Sequence, residues 1–593
     1  PTRANAPKIV PVYGETEGIT SWFIAKIFAK LKHLIGEIEE WLPKEIVTST
    51  EYRVPSGESD KQELLPIQDA ILNIHEPKNS EMLAAARRRL AFDELFFISL
   101  QSQLVKENLK KQSAVPIETN IDELQKFITK LPFTLTRDQK KAVWQISTDL
   151  AKNTPMNRLL SGDVGSGKTV VAAAAAFIVA KAGKKTLLMV PTSILANQHF
   201  ETFCRLFEKY DIKIGLVTSE RQEVGRNSEL RTPNSELLKC DILIGTQALI
   251  QPDIEIENIA LTIVDEQHRF GVRQRAALQK VASTEYTVPS TNKKTRNSEL
   301  GTRDSQKMTP HFLSMTATPI PRTMYLALFG DLSVSFLIEK PANRKPVKTR
   351  LVDAFNRDKA YRFIRELITR GRQVFVVCPL IEVASTEDRV PSKNSDLKLF
   401  EEERKTVMAE SEKLKTIFPE FKIATLHGRM KAREKDQIMA DFSANKVQIL
   451  VSTSVVEVGV DVPNAAVMLI EDAERFGLAT IHQFRGRVGR ADHQSFCFLF
   501  SNSQSEKAIK RLKSLEEISD GYKLAEIDLE TRGFGSILGT EQSGVLDMKM
   551  ANFSDKMLIE QAGEATAKIM PVIDKYPMLR EKIEGLSGSK HLE

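Results

Sequence analysis

The stretch RLLSGDVGSGKTVVAAAAAFIVAKA, residues 158–182, decides how this chain is read. A short β-like run passes through glycines into an alanine-rich, helix-like run. Within it, GDVGSGKT at 162–169 matches the phosphate-binding pattern GxxxxGK[ST]. Glycines let backbone N–H groups approach phosphate oxygens, and the start of the following helix adds the positive end of its dipole. Gly162, Asp163, Val164, Gly165, Ser166 and Gly167 would form the cradle. Lys168 would reach the β- and γ-phosphates of ATP, and Thr169 would ligate Mg²⁺. A flexible glycine turn is the bland alternative. The strand–loop–helix setting argues against it.

A phosphate loop needs a second carboxylate at the end of a neighbouring strand to hold the metal ion. LTIVDEQHRFGVRQR at 261–275 offers one: a mostly apolar run ends in Asp265 and Glu266. Asp265 would bind Mg²⁺ and Glu266 would activate the attacking water, the alternative being two surface acids. Hydrolysis also needs positive charge on the γ-phosphate. QFRGRVGR at 483–490 places arginines at 485, 487 and 490. They could reach across a cleft as arginine fingers, with Arg487 and Arg490 named as the catalytic pair. Gly486 and Gly489 between them make a plain solvated basic helix a poorer reading.

Working outward, the 593 residues are too many for one core, and three or four domains are expected. Hydrophobic content of 41% and charged content of 27% are ordinary for a globular protein. No apolar run approaches the roughly 18–20 residues that span a bilayer. The start, PTRANAPKIVPVYG, lacks a secretory signal and an initiator Met, which suggests a cytoplasmic protein and a fragment or processed form. Cys204, Cys240, Cys378 and Cys497 form no CxxC pair and give no zinc site. A net charge of +6 permits a polyanionic partner without requiring one.

Residues 14–47 and 62–112 read as packing helices from apolar residues at three and four spacing. From about 130 onward, β-rich runs alternate with helical ones: TLLMVP, CDILIGT, LTIVDEQ and HFLSMTATP. A second series follows: QVFVVCPL, KIATLH, VQILVSTS, AAVMLIED and SFCFLFS. Continuous apolar strands separated by helices imply parallel sheets. Two series imply two α/β domains, joined near EKPANRKPVKT at 339–349. Polar stretches interrupt the order: TEYRVPSGESD at 50–60 returns as TEYTVPSTN at 284–292 and TEDRVPSKNSD at 386–396, and RNSELRTPNSEL at 226–237 is echoed at 296–305. They lack the hydrophobic face of solenoid repeats and read as related insertions in solvated loops, so deleting 286–306 should spare activity.

Taken together, these motifs resemble superfamily 2 helicases, and within them the bacterial RecG family of branched-DNA translocases. The motifs stand in family order: FTLTRDQ (133–139), GDVGSGKT, VPTSILANQH (190–199), GTQAL (245–249), DEQH (265–268), SMTATPIPRT (314–323), LHGRM (426–430), STSVVEVGVDVPNA (452–465) and QFRGRVGR. DLETRGFGSILGTEQSG (528–544) resembles the end of that family's translocation motif, and ARRRLAFDELF (86–96) its connector helix. The resemblance implies that Gln139 reads adenine. It implies that Gln267, His268, Thr316 and Thr318 couple hydrolysis to movement. It places Thr192, Thr246 and Thr453 on nucleic-acid phosphates and Arg532 in the translocation loop, although each threonine could be an ordinary loop or cap hydroxyl. Transcription-repair coupling factors share HRFGV and TATPIPRT but usually carry Glu where this chain has Gln267.

The chain departs from the family at its start. RecG proteins carry a wedge domain with an OB-fold, whereas the residues before the motor here read as helices. The expectation is therefore an α/β protein with two RecA-like parallel-sheet motor domains, at 126–342 and 343–502. A helical connector (1–125) would precede them and a helical translocation element (503–593) would follow. Its expected activity is ATP- and Mg²⁺-dependent translocation on branched or duplex DNA, as a monomer without a membrane. An RNA helicase, a transcription-coupled translocase and a non-hydrolysing DNA-binding module are the rival readings.

Overall fold

The computed structural model describes residues 9, 11–13, 20–49, 52–53, 61–219, 221–225, 234–250, 256–266, 285–287, 305–318, 332–339, 345–379, 407–428, 430–453, 462–489, 493–532, 549–551 and 555–588. Two parallel sheets dominate it. The first contains β1 (Asn157–Gly162), β2 (Lys185–Met189), β3 (Ile214–Val217), β4 (Gln222–Val224), β5 (Ile242–Gly245), β6 (Ile259–Asp265), β7 (His311–Thr316) and β8 (Ser333–Leu337). Their spatial order is β8-β1-β7-β6-β2-β5-β3-β4. All pairs are parallel except β3 with β4.

The helix Lys168–Lys181 leaves β1 and is buried from Val170 to Val179. Its alanine run is the consequence: small side chains let a helix lie in a core on all sides. Phe177 stacks on Phe127, and both meet Phe207, closing the layer above the sheet.

The second sheet contains β9 (Lys348–Val352), β10 (Gln373–Val377), β11 (Ile423–Leu426), β12 (Ile449–Ser452), β13 (Ala465–Ile470) and β14 (Phe496–Phe500). Its order is β9-β14-β13-β10-β12-β11, parallel throughout. β9 occupies the end of the segment read from sequence as the joint between domains. It is an edge strand whose exposed Lys348 and Arg350 alternate with inward residues, so its sequence lacks the continuous apolar signature of the central strands.

The two ends of the chain meet. A 31-residue helix, Ser80–Lys110, starts where Asn79 caps the Met82 amide. Phe92, Leu95, Phe96 and Leu100 on this helix share one core with Leu529, Leu558, Ile569, Leu579 and Ile583. Arg89 is fully buried there and binds Glu40, Asp93 and the Leu65 carbonyl. Glu94 accepts backbone N–H groups of Lys549, Met550 and Ala551. The N-terminal and C-terminal helices are thus one packed unit.

Two of the polar insertions are closed at their bases. Tyr52–Arg53 pairs antiparallel with Lys61–Gln62, and Glu285–Thr287 pairs with Ser305–Lys307. The residues between those strands, and the repeat at 386–396, lie outside the described residues. Among the described residues, no helix is long and apolar enough to cross a membrane.

Candidate active site

The site lies at the carboxyl ends of β1, β7 and β6, where open parallel sheets bind ligands. Ser166 N donates to the Asp163 carbonyl at 3.0 Å, and Gly165 and Gly167 take φ values of 79° and 83°. Both glycines occupy the left-handed region that side chains disfavour. A methyl group on Gly167 would also lie 2.2 Å from Gln139 Nε2. That amide donates to the Ser166 carbonyl at 2.8 Å, while its oxygen accepts the Thr136 N–H at 2.9 Å. Gln139, expected from the resemblance to read adenine, here braces the loop against the start of helix Arg137–Leu150.

Lys168 Nζ donates to the Gly162 carbonyl at 2.7 Å and the Asp163 carbonyl at 3.1 Å. Enclosure lowers its ammonium below the usual lysine range. Glu266, Asp265 and Asp163 oppose that shift and Arg487 adds to it. These five groups therefore share one electrostatic neighbourhood, with Arg487 contributed by the second domain. Thr169 stands in the first turn of the helix that Lys168 opens.

β6 is not the immediate neighbour of β1, contrary to the expectation from sequence. β7 intervenes and pairs Thr316 with Ser161 on one side and Met315 with Asp265 on the other. The end of the SMTAT motif thus lies between loop and carboxylate. Asp265 Oδ2 meets His199 Nε2 at 3.0 Å, and Oδ1 accepts the Glu266 N–H at 3.0 Å. Burial works to raise the Asp265 carboxyl, but the His199 hydrogen bond and field, Lys168 and the Glu266 N–H hold it below the usual carboxylate range. Glu266 is buried at φ 52°, a left-handed conformation rare for a residue with a side chain. Such strain concentrates at functional positions.

The domains touch directly across the cleft. Gln483 Nε2 donates to Thr318 Oγ1 at 2.8 Å, and Thr318 N donates to Thr316 Oγ1 at 3.1 Å. A methyl group on Gly486 would lie 2.7 Å from Val164 Cβ. Arg485 donates to His482 Nδ1 at 2.6 Å, so the ring carries its proton on Nε2 and donates it to Asp163 Oδ1 at 2.9 Å. Arg485 also binds the carbonyls of Leu515 and Ile518, so it is a structural arginine and not a finger. Arg487 is 3% exposed, and its charge is near enough to be felt at Lys168. Arg490, Gln267 and His268 lie outside the described residues, as does the Arg532 side chain at the end of helix Gly521–Arg532.

Of the three threonines expected on phosphates, Thr192 caps helix Ser193–Phe207 through Leu195 N, Thr246 follows β5 and is part-exposed, and Thr453 is 0% exposed. His199, His482 and Gly521 were not singled out from sequence. His199 had a signal, since it stands in the apolar stripe Leu195, Ala196, Phe200 and Phe203. Gly521 had none. A methyl group there would lie 2.5 Å from Asp163 Oδ1 and 2.7 Å from His482 Nε2.

Comparison with known proteins agrees with this geometry. A DEAD/DEAH box helicase family model matches residues 136–326, and a helicase conserved C-terminal domain model matches 359–492. The ATP-dependent DNA helicase RecG of Synechocystis is 40% identical over 97% of this chain and 64% of its own length. That of Bacillus subtilis is 38% identical over 95% of this chain and 75% of its own. A solved structure of RecG bound to a three-way DNA junction superposes with a TM-score of 0.69 at 36% identity, covering 93% of this chain and 66% of that one. The chain spans about two thirds of the length of the Synechocystis relative. It belongs to the RecG family of ATP-dependent DNA helicases.

Proposed function

We propose that this chain is the motor of a RecG-type enzyme, hydrolysing ATP between its two sheets to translocate on branched or duplex DNA. The observation that carries this reading is the convergence of Lys168, Asp265, Glu266 and Arg487 from both domains. The RecG structure it resembles is bound to a three-way DNA junction. Lys168, Asp265, Glu266 and Arg487 all belong to one chain, so a monomer would suffice to supply them.

In this mechanism the loop amides bind the phosphates and Lys168 leaves the Gly162 and Asp163 carbonyls for the β- and γ-phosphates. Thr169 and Asp265 fit a magnesium ion: one hydroxyl and one carboxylate held ionised, with phosphates completing the shell, as that ion prefers. Bound there, Mg²⁺ would neutralise developing phosphate charge. Glu266 accepts a proton from the attacking water and Arg487, with Arg490, stabilises the transferring phosphoryl group. Gln139 holds the loop and reads adenine, Gln267, His268, Thr316 and Thr318 couple hydrolysis to domain movement, and Thr192, Thr246, Thr453 and Arg532 engage DNA.

Steady-state ATPase with no nucleic acid, single-stranded DNA, single-stranded RNA, linear duplex and a model fork tests this reading. Stimulation by duplex or fork, lost in Lys168→Ala and Glu266→Gln with ATP binding retained in the latter, is expected. Stimulation by single-stranded RNA alone, or near-normal turnover by Glu266→Gln, overturns it.

A further inference from the structure

Beyond the helicase motifs, the helix Gly521–Arg532 brings one side chain to the root of the phosphate loop. The Tyr522 hydroxyl lies 3.0 Å from Ser161 Oγ. Its ring stands edge-on to Phe336 of β8 at 5.8 Å, and its backbone N–H donates to Asp520 at 2.9 Å. Ser161 belongs to β1 and is itself buried. It immediately precedes Gly162, whose carbonyl Lys168 now holds. The loop root has little slack, because a methyl group on Gly162 would lie 2.5 Å from Ser166 Oγ and 2.9 Å from Leu337 Cβ. Burial raises the Tyr522 phenol well above its ordinary value, so it stays protonated and able to donate.

We propose that Tyr522 is a positioning residue that reads the state of the phosphate loop: its hydroxyl clamps Ser161, so nucleotide binding is transmitted to the first turn of helix Gly521–Arg532. This inference rests on the ATP-site reading above. When Lys168 exchanges the Gly162 and Asp163 carbonyls for phosphate oxygens, the peptide next to Ser161 loses a charged partner. Tyr522 is bonded one residue away. The signal therefore enters the helix without passing through Arg487 or Gln483.

The test is amide hydrogen exchange over residues 521–529 of the full chain, with and without Mg²⁺ and adenylyl imidodiphosphate, alongside direct binding of that analogue. In the unaltered protein the analogue should slow exchange of this turn. Tyr522→Phe keeps the ring against Phe336 and should still bind the analogue, yet lose about three- to tenfold of the slowing, the worth of one neutral hydrogen bond. Ser161→Ala should do the same, and the double variant should be no worse than either single one. Full protection in Tyr522→Phe, or additive losses in the double variant, overturns the inference alone. Failure of the unaltered chain to bind the analogue overturns the ATP-site reading with it.

Discussion

Gly521→Ala is the sharpest probe of the cleft. The added methyl group would lie 2.5 Å from Asp163 Oδ1 and 2.7 Å from His482 Nε2, two atoms already hydrogen-bonded to each other at 2.9 Å. Both lie inside ordinary contact distance, so the pair must part. Overpacking of this kind costs about 1–3 kcal/mol. Loss of the hydrogen bond to the Asp163 carboxylate adds about 1.5–3 kcal/mol. The sum is about 2.5–6 kcal/mol. The part that falls on Asp163 opposes the arrangement in which His482 of the second domain meets Asp163 of the first. The part that falls on His482 lies within the second domain, to which Gly521 also packs. Alanine is a better helix former than glycine, so the helix itself should not weaken. The expected result is a DNA-stimulated kcat at least about tenfold lower, at about 1.4 kcal/mol per decade. His482→Ala removes one of the two clashing atoms, so Gly521→Ala should do much less harm in that background. Turnover within twofold of the unaltered chain, or strictly additive effects in the double variant, would refute the steric reasoning.

Gly167→Ala should weaken ATP binding more than tenfold, because it combines a φ of 83° with a 2.2 Å approach to Gln139 Nε2; Gln139→Ala should restore part of the affinity in a nucleotide titration. Asp93 in the terminal core has its carboxyl pushed up to about 6 by burial, against the opposing Arg89. A raised folded-state value means that the folded chain binds the proton more tightly, so stability falls as pH rises from about 4 to about 6. At about 1.4 kcal/mol per unit this is roughly 3 kcal/mol, and Asp93→Asn should flatten urea-melt stability across that window. Replacing 288–304 by Asn-Gly should leave ATPase unchanged, since Thr287 already faces Ser305. It should also stabilise that pair by about 2 kcal/mol through the shorter loop, read by limited proteolysis.

Legibility followed the range of the interactions. The glycine turn before helix Lys168–Lys181 and the strand that ends at Asp265 were readable because strand, turn and helix are adjacent in the chain. Arg485 and Arg487 look equivalent in sequence. They differ because helix Leu478–Arg485 ends between them, sending Arg485 to the Leu515 and Ile518 carbonyls and leaving Arg487 near enough for its charge to be felt at Lys168. The apolar faces at the two ends of the chain were visible as helices in need of a partner. Their partnership was not, because Arg88 meets Gln561 across more than four hundred residues. β9 was hidden for another reason: an edge strand with two exposed basic residues carries the same composition as a linker.

The helix Gly521–Arg532 has three attachments, and their unequal strengths say which one yields. Its first turn meets the phosphate loop through Tyr522 and Ser161 and through Gly521 packed on Asp163. Its middle is fixed to the second domain: Leu524 lies in that core, and buried Asp528 accepts the Leu478 N–H at 2.8 Å and pairs with Arg511 at 3.3 Å. Leu529 enters the terminal core. Removing one partner of a buried ion pair costs about 3–5 kcal/mol, whereas a neutral hydrogen bond is worth about 1 kcal/mol. Opening the cleft should therefore break the contacts of the first turn and leave the helix riding with the second domain. The seven-residue step from Tyr522 to Leu529 spans roughly 10 Å of helix, so a rotation that frees Tyr522 from Ser161 is delivered at Leu529 to the helices from both ends of the chain. The contact that breaks most easily is thus the one at the root of the glycine loop.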